Sequence, residues 1–487
     1  MENSYKKLIF ELNKEEREYF LKFANLGKRS SNASYLIIYE QLIKNGAIDL
    51  NELKRIFGEK NFSKNISTAK DKLLEKILLS LVNYNVDSSY SWNIQRDILL
   101  IKVLIERRLP EKAQKLINRA KKNAYLYEEF ELLNQLIAVE IELCFDKGFI
   151  KNSNKLKQLI EEKNIINFII NELHYLLTLK ADLQSFQTNE NIYTSSLNNF
   201  KSIFGYLPKI NENIYNCKKI KNIQFYIEEA CYFIQYNYEK FFLTTKEHYE
   251  FHKQNSILFP KYEYLQLLAN YLYGCSLMEN EEQFNIILNE FTNIKNLNKE
   301  EEQYVNDMKF YRTLELYHRL SKNKDAEKLA HQAEEFLDNN YFLFDSYKFQ
   351  VLHLSIIRAY IENKNYSAAI VASQKKYKQS GIEFNSSLFK LFEFIAHYKL
   401  NNFENLIYSV DSWAKTIRSK RKQFPIEKIL IKFFRSVCNK ATVQEKKQLI
   451  SNIITQLKVV EKDNQKFYLN HIFDFIEWFE RELEEMK

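Results

Sequence analysis

Glu247, His248, Glu250 and His252 form the densest run of potential metal ligands in this sequence. His248 and His252 stand four residues apart and share a helical face, a spacing that lets two imidazoles meet one zinc ion. No third ligand and no base accompany them. The order His-Glu-x-x-His is absent, and Tyr249 and Phe251 between them read as packing residues. These four are therefore expected to be ordinary polar or half-buried side chains, with no metal bound. The other histidines, His174, His318, His331, His353, His397 and His471, are dispersed and read as local packing or hydrogen-bonding groups.

Other chemistry is equally sparse. Cys144, Cys217, Cys231, Cys275 and Cys438 are far apart and odd in number, which fits neither a disulfide framework nor a structural zinc and points to a reducing compartment. Gly27-Lys28-Arg29-Ser30 imitates the end of a phosphate loop, but without the upstream glycine and preceding strand it reads as a helix-ending glycine. There is no Gly-x-Gly-x-x-Gly and no Gly-x-Ser-x-Gly elbow. Acid catalysis needs one carboxyl shielded enough to keep its proton. The runs Glu15-Glu16-Glu18, Glu281-Glu282 and Glu300-Glu301-Glu302 sit instead at predicted helix starts, where negative charge is favourable and water is close. The expectation is a protein without catalytic residues or cofactor.

The sharpest chemical feature is electrostatic. The window from Lys415 to Lys447 holds eleven basic residues against Glu427 and Glu445, while the whole chain carries a net charge of only +8. Lys415, Arg418, Lys420, Arg421 and Lys422 run into a loop before Pro425. Lys428, Lys432 and Arg435 recur on the next helix, opposite the apolar side of Ile429, Leu430, Phe433 and Phe434. Such a patch can hold an acidic protein segment, a nucleic-acid backbone or an anionic membrane surface.

The elements that must position these residues are helices. Only 4 Pro and 7 Gly occur in 487 residues, too few for a turn-rich sandwich or a doubly wound sheet, and 45% hydrophobic residues exclude disorder. Apolar residues recur three and four apart nearly throughout. Residues 93–107 and 111–123 form a predicted hairpin, with Pro110 at the start of the second helix and Ala113, Ile117 and Ala120 facing the first. Further hairpins are marked by Leu314, Tyr317, Ala326, Ala330 and Ala333, by Ile357, Tyr360, Tyr366, Ala368, Ala369 and Ala372, and by Phe394, His397 and Leu406. An earlier copy over 259–278 and 281–295 is anchored by Leu272 and Phe284. The positions 284, 326, 369 and 406 recur at intervals of 42, 43 and 37 residues.

This pattern resembles tetratricopeptide repeats over about 93–123 and 259–418. Leu314, Tyr317, Ala326, Ala330 and Ala333 occupy that family's small, tyrosine and alanine positions, and Tyr360, Tyr366 and Ala369 match a subset. The period is longer than that family's, and its tryptophan, leucine-glycine and terminal proline positions are mostly absent. The resemblance implies an all-α fold, a right-handed superhelix of antiparallel helix hairpins (an α-solenoid) preceded by an N-terminal helical module. Stacked hairpins share a core that no single hairpin can build.

Four segments follow. Residues 1–90 give helices at about 4–10, 14–24, 33–45, 50–57 and 66–84, a small helical or winged-helix-like module with too weak a charge excess for a duplex-binding surface. Residues 91–258 form a first repeat segment with an irregular connection near 186–218, residues 259–418 the tetratricopeptide-like segment, and residues 419–487 a C-terminal helical cap bearing the basic patch. No run is apolar enough for a membrane span and no signal peptide is legible, so a cytoplasmic chain is expected. A solenoid offers a partner its groove. The candidate groove residues are Tyr311, Tyr317, Tyr347, His353, Tyr360, His397 and Tyr398, since tyrosine supplies rigid contact area with a polar tip. The functional expectation is a non-catalytic scaffold for a protein or peptide partner, with nucleic-acid association through 415–447 as the alternative.

Overall fold

With so few residues that bend the chain, its turns must be made by ordinary side chains, and one turn is used repeatedly. The computed structural model describes residues 8–10, 12–25, 34–46, 48–57, 62–85, 89–146, 153–188, 217–340, 346–375, 383–420, 425–438, 442–460 and 473–486. Among these the regular structure is helical, without strands, and no helix is long and apolar enough to cross a membrane. Two compact units are distinguished, Met1–His174 and Tyr175–Lys487.

In the first unit α1 (Lys14–Asn25), α2 (Ser34–Asn45) and α3 (Leu50–Phe57) pack on α4 (Phe62–Asn85), around Phe20, Ile38, Leu42, Leu53, Leu73 and Ile77. Next come α5 (Tyr90–Glu106), α6 (Pro110–Leu126), α7 (Phe130–Asp146) and the 36-residue α8 (Ser153–Thr188), whose last turns belong to the second unit. Ser89 caps α5 by accepting from the Trp92 amide, and Pro110 opens α6, where its missing N–H leaves no bond unmade. Helix α5 packs on both α6 and α7, and Arg119 of α6 holds the buried Asp97 of α5 at 3.0 Å.

The second unit continues with α9 (Lys218–Ile234), α10 (Tyr238–Gln254), α11 (Lys261–Leu277), α12 (Glu281–Thr292), α13 (Lys299–Arg319), α14 (Asn323–Asn340), α15 (Ser346–Glu362), α16 (Tyr366–Gln374), α17 (Glu383–Lys399), α18 (Phe403–Lys420), α19 (Pro425–Val437), α20 (Val443–Val460) and α21 (Phe475–Glu485). Neighbours in sequence pack as pairs from α9 through α20, and α20 packs on α21. Every second helix also packs on the next but one: α11 on α13, α13 on α15, α15 on α17, and α17 on α19.

The recurring turn has three residues, with the middle one in the left-handed region. That residue is Arg108, Glu128, Tyr236, Glu279, Ser321, Lys364 or Asn401, with φ between 50° and 63°, and never glycine. In each turn the amide of the following residue reaches back to a carbonyl five positions earlier, as Asn280 does to Cys275 at 2.9 Å and Asn365 to Tyr360 at 2.8 Å. This is the Schellman closure of a helix C-terminus. Asn237, Asn280 and Asn365 then also cap the next helix, their side chains accepting from the amides of Lys240, Gln283 and Ala368. Five residues after each left-handed residue stands a buried core side chain: Ala113, Leu133, Phe241, Phe284, Ala326, Ala369 and Leu406. One turn therefore sets the register of each hairpin it closes.

Candidate functional site

The candidate metal residues sit on α10, and the structure gives them different neighbours from those a metal would require. Glu247 and Glu250 are exposed, whereas His248 and His252 are buried. His248 Nδ1 lies 2.6 Å from Glu229 Oε1 and Nε2 lies 2.8 Å from Asn222 Oδ1, both on α9. Both ring nitrogens are thus engaged with α9. Asn222 in turn donates to Glu263 of α11 at 3.0 Å, and Asn270 of α11 donates to the second oxygen of Glu229 at 3.0 Å. Tyr226 donates to the Glu263 carbonyl, and the Lys180 ammonium from α8 lies 3.8 Å from the Tyr226 ring centre. Burial lowers the Lys180 pKa, opposed by the nearby Glu263 and Glu229 charges.

Four helices thus meet through one closed network. His252, one turn on, stacks on Tyr264 and lies against Phe259, and neither ring nitrogen has a hydrogen-bond partner among the described residues. Burial, with His248 adding to it, pushes its pKa down to about 4. Helices α10 and α11 approach so closely that a Cβ on Gly274 would lie 3.2 Å from Thr245 Oγ1 and 3.4 Å from the Phe242 backbone. Among the described residues no three His, Cys, Asp or Glu side chains gather as metal ligands.

No family model, curated protein or solved structure matches this chain. Its chemistry must therefore be read from its own side chains.

The groove candidates are distributed unevenly. Tyr360, Tyr398, His353 and His397 are buried, and Tyr311 and Tyr317 are half-buried. The Tyr347 side chain lies outside the described residues. Tyr360 donates to Glu334 at 2.6 Å and its oxygen lies 3.0 Å from His331 Nδ1, so its hydroxyl ties α15 to α14. His353 Nε2 donates to the Ala372 carbonyl at 2.9 Å, tying α15 to α16. Tyr398 packs edge-on against Phe433, Phe434 and Trp478. The half-buried Tyr311 lies 4.7 Å from the Arg312 guanidinium, which also covers the Tyr273 ring at 4.3 Å. Helices α15 and α17 are enclosed: Val351 to Ile361 are buried but for Arg358, and Leu388 to Tyr398 but for Lys390. Of the tyrosine candidates whose side chains are described, Tyr311 and Tyr317 are the two that keep part of their surface open.

In the basic window Lys415, Lys428 and Lys432 are exposed. Arg435 is engaged with Asp411 at 2.6 Å, and Lys446 lies 5.2 Å from the Phe403 ring centre. The side chains of Arg418, Lys420, Arg421 and Lys422 lie outside the described residues. The expected apolar counterpart is in place: Leu430, Phe433 and Phe434 are buried and Ile429 is half-buried.

What the sequence reading missed is the set of partners. Glu229, Asn222, Glu263, Asn270 and Lys180 drew no notice, yet a signal existed. Asn222 with Glu263, Glu229 with Asn270, Tyr249 with Glu290 and Glu281 with Lys322 are each 41 residues apart. That is close to the hairpin period, so polar residues one period apart are the ones that bond successive hairpins.

Proposed function

We propose that α9–α20 form a right-handed α-solenoid of the tetratricopeptide-like kind, and that the chain is a non-catalytic cytoplasmic scaffold that binds a protein or peptide. The observation carrying this reading is the recurrence of one turn at Tyr236, Glu279, Ser321, Lys364 and Asn401, with alternate helices packed in an unbroken line from α11 to α19. A repeated unit that closes its core on its neighbours leaves its remaining face for another macromolecule. The buried histidine–carboxylate contacts support the non-catalytic part. His248 and Glu229 are each at most 2% exposed and bonded to other side chains, an arrangement suited to joining helices. Affinity capture from the native cell, followed by titration of the purified partner, tests the reading. A saturable partner that weakens about tenfold on Tyr311→Ala with Tyr317→Ala supports it, a loss of about 1.4 kcal/mol. Repeated capture without such a partner refutes it.

The exposure of Lys415, Lys428 and Lys432 favours nucleic acid as the second reading. A phosphate-binding surface loses affinity steeply with salt. Changing these three lysines to Glu should abolish binding of a mixed-sequence duplex or single strand at low salt. Binding unaltered by that change, or none to begin with, eliminates this alternative.

A further inference from the structure

Helix α5 differs from its counterparts in the second unit. Helices α15 and α17 are buried around nearly their whole circumference because neighbouring helices pack on several sides. Helix α5 buries one side only, Ile94, Asp97, Ile98 and Ile101, against α6 and α7. Its opposite side presents Trp92, Leu99, Leu100 and Val103 at 39%, 65%, 46% and 51% exposure. Trp92, Leu99 and Val103 follow seven- and four-residue steps, so they form one stripe along the helix. Large apolar side chains grouped on one exposed face of a surface helix mark a place where another macromolecule sits.

The border of the stripe indicates what kind. Arg96, half-buried and donating to Asn93 at 2.7 Å, stands between Trp92 and Leu99 on the same side, Arg107 stands four residues after Val103, and Lys102 flanks the other side with Glu106. Two copies of this face brought together would oppose cation to cation, which disfavours self-association. We infer that the α5 face of Trp92, Leu99, Leu100 and Val103 is the docking site for an amphipathic helix of a partner protein, with an aliphatic stripe bordered by Glu or Asp. The helical form follows from the enclosed helices, which take helices on the corresponding sides, and the acidic border follows from the charges. This surface lies outside the α9–α20 array that carries the scaffold reading, so either can fail alone.

Tryptophan fluorescence reads the site directly. The chain has 3 Trp, and Trp413 and Trp478 are buried, so Trp92 carries most of the quencher-accessible emission. The probe is a 17-residue peptide, the length of α5, with leucines at three- and four-residue spacing and glutamates beside them. Titrated into the full chain, it should protect Trp92 from acrylamide with micromolar affinity. A scrambled peptide of the same composition should not. Leu99→Glu with Val103→Glu, both at exposed positions, should weaken binding at least about tenfold with unchanged circular dichroism. If that pair perturbs folding, Arg96→Glu with Arg107→Glu serves instead and should move the preference to a peptide with Lys in place of Glu. The proposal is overturned if the acidic peptide leaves Trp92 unprotected, or if the scrambled peptide binds equally. Indifference to charge reversal overturns it as well. So does protection of Trp92 without any peptide, in an oligomer that the Leu99 and Val103 changes dissociate, because the occupant is then a second copy of the chain.

Discussion

His248 illustrates how a residue chosen for its chemistry can serve architecture. With Glu229 and Asn222 on its two ring nitrogens and no exposed atom, it ties α10 to α9 and orients Asn222, which in turn reaches Glu263. Replacing it with Ala would leave a buried carboxylate with only the Asn270 amide. The expected loss is about 3–5 kcal/mol, read as a lower urea midpoint, and a loss under about 1 kcal/mol would show that the network carries little. For His252 and His353, burial drives the pKa down to about 4 from the ordinary 6.5. A group whose folded pKa is depressed binds more protons when unfolded. Its contribution is therefore complete above about pH 6.5 and lost as pH falls toward 4. Each can cost up to a few kcal/mol across that window, which lies mostly above the one for Glu362. Burial raises the Glu362 carboxyl, but Arg358 and His318 outweigh it and hold it at about 2. His353→Gln keeps a donor for the Ala372 carbonyl and should flatten the stability profile between about pH 6.5 and 4; an unchanged slope would remove His353 as its source.

At the level of the helix pair, the sequence was legible wherever the core repeats and illegible where the turn does. Phe284, Ala326, Ala369 and Leu406 betrayed the period because each sits at the same place in its hairpin and is fully buried. The predicted pairs 93–107 with 111–123 and 259–278 with 281–295 accordingly match α5 with α6 and α11 with α12 to within a few residues. The turns gave no such mark. A left-handed position usually declares itself as glycine, but here Glu, Tyr, Lys, Arg, Ser and Asn occupy it, held by the closure around them. The break at Tyr236 between α9 and α10 leaves no mark in the sequence for this reason. The predicted irregular connection near 186–218 falls mainly outside the described residues. These substitutes for glycine carry backbone strain, which yields a prediction with a sign. Glu279 is exposed, so Glu279→Gly should raise stability by up to about 1 kcal/mol, the relief of strain exceeding the added chain entropy. Glu279→Val should lower it. A destabilising glycine in thermal melts would mean that the Glu279 side chain, not the backbone, holds the turn.

On the scale of the molecule, what distinguishes a stack from a globule is how far a local injury spreads. In the second unit the apolar core runs with the chain. Tyr249, Leu268, Phe284 and Leu316 form one cluster, while Leu314, Ala330, Tyr360, Phe394, Phe434 and Phe479 belong to the next, with Tyr311 packed against both. Polar ties run the same way, from Asn222 to Glu263, from Glu281 to Lys322 and from His318 to Glu362. Contacts of this kind couple each hairpin to its neighbours, while α21 also reaches back along the chain, its Glu485 accepting from Lys364 and Lys399 at 2.8 Å each. Ala330 is fully buried, and the small alanines of α14 and α16 are what allow their helices to approach α13, α15 and α17. Ala330→Leu should therefore overpack that seam and cost about 1–3 kcal/mol. Hydrogen exchange would then accelerate most in α13–α16, less in α11, α12, α17 and α18, and least in α9 and α10, the gradient expected when opening propagates hairpin by hairpin. An equal acceleration from α9 to α21 would mean that the unit opens as one cooperative body, and it would remove the nearest-neighbour logic on which the solenoid reading depends.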